Sequence, residues 1–332
     1  MFSAIYVEEA VHGTERVQQI LARYPGLPVI PCARYGEVFN RAGQNFRVQK
    51  QNPALILAEK HGPCVLPAPA GYGFAAGASF YFSHMLNCLY DCRYCFLQGM
   101  YRSAHYVLFV NYEDFSADLQ KTIAAQEGRC VFYSGYDCDS LALEPVSRFT
   151  QFFLPMFREL PQATLEIRTK STQVRALLEM EPLSNCVIAM SFSSEQAGNR
   201  YEHRVPDLSK RLEAAAKLQA AGWSVALRFE PVISEPAVEQ DYYALFERVF
   251  TVLDTDKLHS VSIGEFRMPR DYHKKIAELY PDEALFAQPV VVSDGLLSLR
   301  GAGDELLHKL ESRLLSYVEA RQYYRCASED IA

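Results

Sequence analysis

The chain has 332 residues, 49% hydrophobic and 22% charged, an ordinary balance for a soluble globular protein able to form one α/β barrel or two smaller domains. Acidic residues outnumber basic ones 40 to 33, so no global basic excess advertises nucleic-acid binding, although local groups such as Arg200, Arg204, Lys210 and Arg211 leave it open. No apolar run approaches membrane-spanning length, the acidic start is unlike a signal peptide, and nine cysteines, an odd number, do not read as a disulfide framework; no membrane contact and a reducing cytoplasm are expected.

Residues 1–77 are expected to form a small N-terminal α/β unit with its linker. Ile5-Tyr6-Val7 reads as a strand, 12–24 as a helix, 27–30 and 54–58 as strands, and the Pro/Gly-rich stretch from Gly62 to Gly77 as a connection. Residues 78–332 form the second expected domain, which alternates strand and helix with little wasted chain. Strands are expected at 78–84, 130–134, 164–168, 186–192, 223–230 and 259–264. Helices are expected near 115–126, with Asp114 or Ser116 as cap, and at 146–159, 171–180, 207–221 and 239–253. The helix over 207–221 is the clearest, with Leu208, Leu212, Ala215 and Leu218 at helical spacing and Gly222 placed for a left-handed cap. Six β/α units favour an open partial (β/α)6 barrel over a doubly wound sheet, and functional residues should then gather at strand C-terminal ends. A hairpin around Asp294-Gly295 and an amphipathic helix at about 303–318 close the chain.

The densest chemistry lies just after the first of those strands. Cys88, Cys92 and Cys95 place three thiols within eight positions at Cys-x3-Cys-x2-Cys spacing, with no fourth cysteine nearby. Protein-only ligation of an iron–sulfur cluster takes four cysteines, so a trio implies that one iron keeps an open position for something else. The competing reading is a zinc-stabilised binding protein with no catalysis, for which His84 would complete a Cys3His set. Structural zinc sites draw on two separated ligand pairs, and no second pair occurs here.

With this loop at the end of a first strand, the chain resembles the spore photoproduct lyase family of radical S-adenosylmethionine (SAM) enzymes. The likeness is carried by Tyr94-Cys95-Phe96-Leu97-Gln98, Val110-Asn111-Tyr112-Glu113, Arg168-Thr169-Lys170, Ser191-Phe192-Ser193-Ser194, and Glu202 followed by the 207–221 helix. The resemblance implies a [4Fe-4S] cluster on Cys88, Cys92 and Cys95, with S-adenosyl-L-methionine filling the open iron. It further implies that Tyr94 reaches towards the adenine, that Lys170 and Ser191, with neighbouring Ser193, contact SAM or substrate, and that Asp139 sits in the same pocket. The reaction it implies is reversal of a thymine dimer in DNA, with a reduced flavodoxin or ferredoxin-type protein as electron donor. A cysteine then returns a hydrogen atom to the thymine radical.

Two departures from the family pattern are visible. Where repair members carry a donor cysteine in a Cys-Thr-Ser-Asp run, this chain has Tyr136-Asp137-Cys138-Asp139. Alternation along an extended loop puts Tyr136 and Cys138 on one side, so either is a candidate hydrogen donor. The terminal hairpin also lacks the adjacent Arg and Tyr with which the family wedges the duplex, which keeps open a different nucleotide, modified-base or protein substrate.

Overall fold

Six strands, all but the first made largely of buried residues, set the architecture: Ala78–Phe82, Cys130–Ser134, Ala163–Thr169, Cys186–Ser191, Ser224–Val232 and Leu258–Glu265. The computed structural model describes residues 2–69, 72–74, 77–293, 295–300 and 304–326. Each of the six strands pairs in parallel with the next one in the chain. A doubly wound sheet would reverse its order at a switch point. Here the order never reverses, as the partial barrel requires, and Val65–Pro67 and Tyr323–Arg325 end the sheet at its two edges.

Alternation along the strands divides the two faces. Leu165, Ile167, Ile188, Met190, Leu227 and Ile263 point outward into one core with the helices Phe149–Arg158, Leu208–Ala220 and Val238–Val252. Their neighbours in sequence point inward, and there the residues are small or charged: Glu166, Arg168, Ala189, Ala226, Arg228, Ser260 and Ser262. Inside the barrel Glu166 accepts from Arg228 Nη2 at 2.7 Å and pairs with Arg168 Nη2 at 3.0 Å. Glu230 pairs with Arg168 at 3.5 Å and accepts from the Ser262 hydroxyl.

The N-terminal unit is a second sheet, ordered Val29–Cys32, Ile5–Glu8, Leu55–Ala58, Tyr106–Phe109 and Met85–Leu86. Its last two strands come from beyond residue 77, so the sheet crosses the boundary drawn there. Ile56 and Ala58 pack into the barrel's core, while Met85, Cys138 and Val146 pack into the core of the N-terminal sheet.

Several elements differ from expectation. The helix placed near 115–126 runs from Tyr112 to Ala124 and neither Asp114 nor Ser116 caps it; Asp114 accepts from Asn111 Nδ2 and Ser116 donates to Met156 Sδ. The helix placed at 146–159 is two pieces, Glu144–Ser147 and Phe149–Arg158, broken at Arg148 with φ of +50°. Only Arg175–Leu178 is helical within 171–180. The helix Leu208–Ala220 is as expected, capped by Asp207 accepting from Lys210 N at 2.9 Å and ended by Gly222 at φ +91°. Val290–Ser293 and Leu296–Leu299 pair as the hairpin, and Arg267–Pro269 adds a third strand; Asp294 lies outside the described residues, as does Gly303 before the final helix Asp304–Leu314.

Candidate active site

Asn87 starts the cysteine loop. At φ +73° it turns the chain sharply, a conformation asparagine tolerates, and its Nδ2 donates to the carbonyls of Ser103 and His105. Its amide N–H donates to Asp137 O at 2.9 Å, which ties the loop to the segment after the second barrel strand. Farther on, Asp91-Cys92 pairs antiparallel with Glu202-His203, and Gln98 Nε2 donates to Cys92 O at 2.6 Å. The loop is held at both ends and from within.

A cavity of about 630 Å³ opens above it. Its walls include Cys88, Cys92, Cys95 and Tyr94 from the loop, Tyr136, Cys138 and Asp139 after the second strand, Lys170 after the third, and Ser191 at the end of the fourth. Nine of the ten residues singled out in sequence therefore meet at one place, at the C-terminal ends of parallel strands. Ser193 is one layer back: its hydroxyl donates to Glu202 Oε1 at 2.7 Å.

Burial pushes the Cys88 thiol up to about 12, helped by the Asp139 carboxylate and opposed by the Lys50 ammonium. Burial likewise raises Cys92, with Glu202 adding to it, and raises Cys95 against the pull of a backbone hydrogen bond, Lys50 and Lys170. The three thiols stay protonated until a metal displaces the protons. Among the described residues no three His, Cys, Asp or Glu side chains converge on a single metal ion. The irons of a cluster each take one thiolate, so its cysteines ring it rather than meet at a point. His84 takes no part: its ring stacks on Phe149 at 4.4 Å within the core, and burial lowers it to about 3.

Asp139 is fully engaged internally. Its Oδ1 accepts from Leu141 N, Ala142 N and Thr169 Oγ1 (3.0, 2.9 and 2.7 Å), and its Oδ2 accepts from Lys170 N at 2.6 Å. It locks the loop after the second strand to the end of the third. Tyr136 sits among aromatic rings, 4.5 Å from Tyr81, 5.4 Å from Tyr72 and 5.7 Å from Phe96. Cys138 is 6% exposed, and burial, then Cys88 and Asp137, hold its thiol well above the ordinary value. It therefore carries its hydrogen at neutral pH.

The centre that sequence reasoning missed is Glu202. Its carboxylate accepts from the hydroxyls of Tyr94 and Ser193, pairs with Arg211 Nη2 at 2.8 Å, and has Lys170 Nζ at 3.6 Å. Burial alone would raise this carboxyl; Lys170 and Arg211 hold it down at about 2. Arg211 also donates to Ser191 O at 2.9 Å, and the Lys170 ammonium lies 5.6 Å from the Tyr94 ring centre. One carboxylate thus joins the cysteine loop to the ends of the third and fourth strands. The available signals were Glu202 itself, which stands in the stretch that carries the resemblance, and Arg211 within the first turn of the clearest helix.

The family model described as spore photoproduct lyase matches residues 76–288. Two curated relatives, the spore photoproduct lyases of Geobacillus sp. (strain Y412MC61) and Bacillus subtilis (strain 168), are each 23% identical over 203 residues. The match takes in 60% of this chain and 60% and 59% of theirs, so it spans under two thirds of their length. Among solved structures, a spore photoproduct lyase mutant with bound AdoMet and dinucleoside spore photoproduct superposes with a TM-score of 0.86 at 16% identity, covering 98% of both chains. Another, complexed with dinucleoside spore photoproduct, gives 0.84 at 17% identity and the same coverage. The shared fold extends over both sheets, the family model covers the cysteine loop and all six barrel strands, and the chain belongs to the spore photoproduct lyase family.

Proposed function

We propose that this chain is a radical SAM lyase that reverses a thymine dimer lesion in DNA, with Cys88, Cys92 and Cys95 holding a [4Fe-4S] cluster and SAM on its open iron. The observation that carries the reading is the meeting of those three thiols with Lys170, Asp139, Ser191, Tyr136 and Cys138 around one cavity. When bound, the cluster and SAM supply a 5′-deoxyadenosyl radical, which takes a hydrogen atom from the substrate.

The chain's own residues do the rest. Glu202 and Tyr94 fix the cysteine loop, and Asp139 fixes the backbone of Lys170. The Lys170 ammonium, 3.6 Å from Glu202, is the looser of that carboxylate's two cations and is free to turn a hydrogen bond towards a cofactor carboxylate. Tyr72, Phe96 and Tyr136 line the cavity with aromatic faces suited to a planar base, whose stacking contributes about 1–3 kcal/mol. Cys138 returns the hydrogen atom to the thymine radical, directly or through Tyr136. A reduced flavodoxin or ferredoxin-type protein supplies the electron, and a reducing cytoplasm suits nine free cysteines. No described helix is long and apolar enough to cross a membrane.

The direct test is anaerobic reconstitution with iron and sulfide, followed by SAM, dithionite and dinucleoside spore photoproduct, with thymine release followed by chromatography. Reductive SAM cleavage without lesion repair would favour a second reading, the same chemistry on another nucleotide, a modified base or a protein. Two observations support that alternative: a tyrosine stands at the donor position, and the terminal hairpin exposes Val291 and Val292 rather than an Arg-Tyr wedge.

A further inference from the structure

Several exposed cations of this acidic chain are neutralised locally, as Arg158 is by Glu181, Arg175 by Glu179 and Lys217 by Glu213. Among those without such a partner, one group of arginines stands over a lysine that bonds the cysteine loop. Around the short helix Phe46–Gln51 stand Arg41, Arg47, Arg102 and Arg204, all exposed, and none has a carboxylate at ion-pair distance among the described residues. Arg41 donates to a backbone carbonyl, Arg47 lies over the Tyr280 ring at 5.4 Å, and Arg204 donates to Lys50 O at 2.7 Å. Arg102 joins the group through its amide, which donates to Asn40 Oδ1. Val48, 63% exposed, sits on the same helix.

Beneath this surface lies Lys50, 3% exposed and likewise without a carboxylate partner among the described residues. Its ammonium donates to Cys88 O at 2.6 Å and faces the Tyr106 ring at 5.4 Å. Burial opposes its charge, and Cys88, Asp91 and Cys95 of the cysteine loop favour it. None of these residues lines the cavity. The loop therefore presents its thiols to the cavity, while its Cys88 carbonyl is bonded to a buried lysine whose own carbonyl is held by the exposed Arg204.

We propose that the surface formed by Arg41, Arg47, Arg102 and Arg204 around Val48 is the docking face for an acidic one-electron carrier protein, which delivers its electron beside Lys50 and Cys88. This rests on the cluster assigned above. The transfer oxidises the carrier by one electron and reduces the cluster by one; no bond is made or broken. A small apolar spot with an arginine rim suits the small, transient encounters typical of redox partners, and complementary charge accelerates them. DNA phosphates also favour arginines, but the path from Arg204 through the Lys50 carbonyl and the Lys50 ammonium to the Cys88 carbonyl favours a redox partner.

The test uses reduced flavodoxin as the acidic carrier, dithionite as a small reductant, and duplex DNA as the competitor. In the wild-type protein, flavodoxin affinity for the apo form and the rate of cluster reduction should both fall as salt rises. Arg47→Glu with Arg204→Glu should lower both at least tenfold at low salt, leaving bound iron and dithionite reduction unchanged. Arg41→Glu with Arg102→Glu, which spares the Lys50 carbonyl contact, should act in the same direction and covers the case in which the first pair misfolds. Unchanged flavodoxin affinity and rate in both pairs overturns the proposal, as does loss of DNA affinity at an unchanged carrier rate. A wild-type protein that takes up no iron and sulfide overturns the cluster assignment instead, a failure visible before any carrier is added.

Discussion

Replacing Glu202 by Gln removes one charge from the most connected carboxylate of the site while keeping its shape. The Glu202 side chain is 1% exposed and pairs with Arg211, whose own side chain is 3% exposed, at 2.8 Å. Burial opposes its charge, yet Lys170 and Arg211 hold the carboxyl at about 2 against an ordinary 4.5, so the folded state stabilises the ionised form by about 3 kcal/mol. Removing one partner of a buried ion pair costs about 3–5 kcal/mol, because the cation left behind is unpaired. The amide keeps an oxygen to accept from Tyr94 or Ser193, so the lower figure applies, and a loss of about 3 kcal/mol is expected. Urea unfolding of the metal-free protein measures it. The single tryptophan, Trp223, is buried and donates its indole N–H to Leu177 O, which makes it a native probe. Since the folded carboxyl titrates below the unfolded one, its contribution is complete above about pH 4.5 and is lost as pH falls towards 2. Glu202→Gln should therefore flatten the acid limb as well as lower stability at pH 7. A loss under about 1 kcal/mol with unchanged m, or an acid limb identical to wild type, refutes the reasoning.

Replacing Cys88, Cys92 or Cys95 by Ala should abolish the cluster's visible absorbance and reductive SAM cleavage; a triple variant that kept stoichiometric iron and sulfide would remove the assignment. Lys170→Ala should leave the cluster spectrum intact and weaken SAM binding at least tenfold by titration, and unchanged affinity and turnover would take Lys170 out of the site. Cys138→Ala should keep 5′-deoxyadenosine formation and divert product to trapped adducts; if it gave the wild-type product distribution and Tyr136→Phe failed instead, the donor is the tyrosine. Glu166→Gln should cost about 3 kcal/mol or more in urea unfolding, because Arg228 is fully buried and loses its ionised partner.

The barrel was legible because its strands are buried on both faces and its helices carry an apolar stripe. Cys186–Ser191 reads as continuous apolar sequence for this reason, and Leu208–Ala220 announces itself by spacing, cap and terminal glycine. Tyr106–Phe109 is equally buried, yet it was missed. It joins the N-terminal sheet although it follows the cysteine loop in sequence, and no local pattern records which sheet a strand will join. The helix break at Arg148 escaped for a related reason. Arginine does not announce a positive φ, and Pro155, the one residue that would suggest a break, lies inside the second piece.

The site divides the same way. The three cysteines were readable from their spacing along the chain, and the family resemblance pointed to Tyr94, Tyr136, Asp139, Lys170 and Ser191 before their contacts were known. Residues whose role depends on meeting a distant partner were not. Glu202 gains meaning only from Tyr94, Lys170 and Arg211, and Lys50 only from a carbonyl 38 positions away. One further signal did lie in plain sequence: Glu166-x-Arg168, Arg228-x-Glu230 and Ser260-x-Ser262 repeat a polar residue at every second position of three strands. Period 2 sends each pair to one face, and charges on strands whose other face is apolar must point at one another across the barrel interior. Arg168 and Glu230 reach the cavity wall while Glu166 and Arg228 remain fully buried beneath it, so the ladder carries fixed charge from the core to the cavity. The barrel interior is thereby a polar floor, built on the same strands whose ends present the reactive groups.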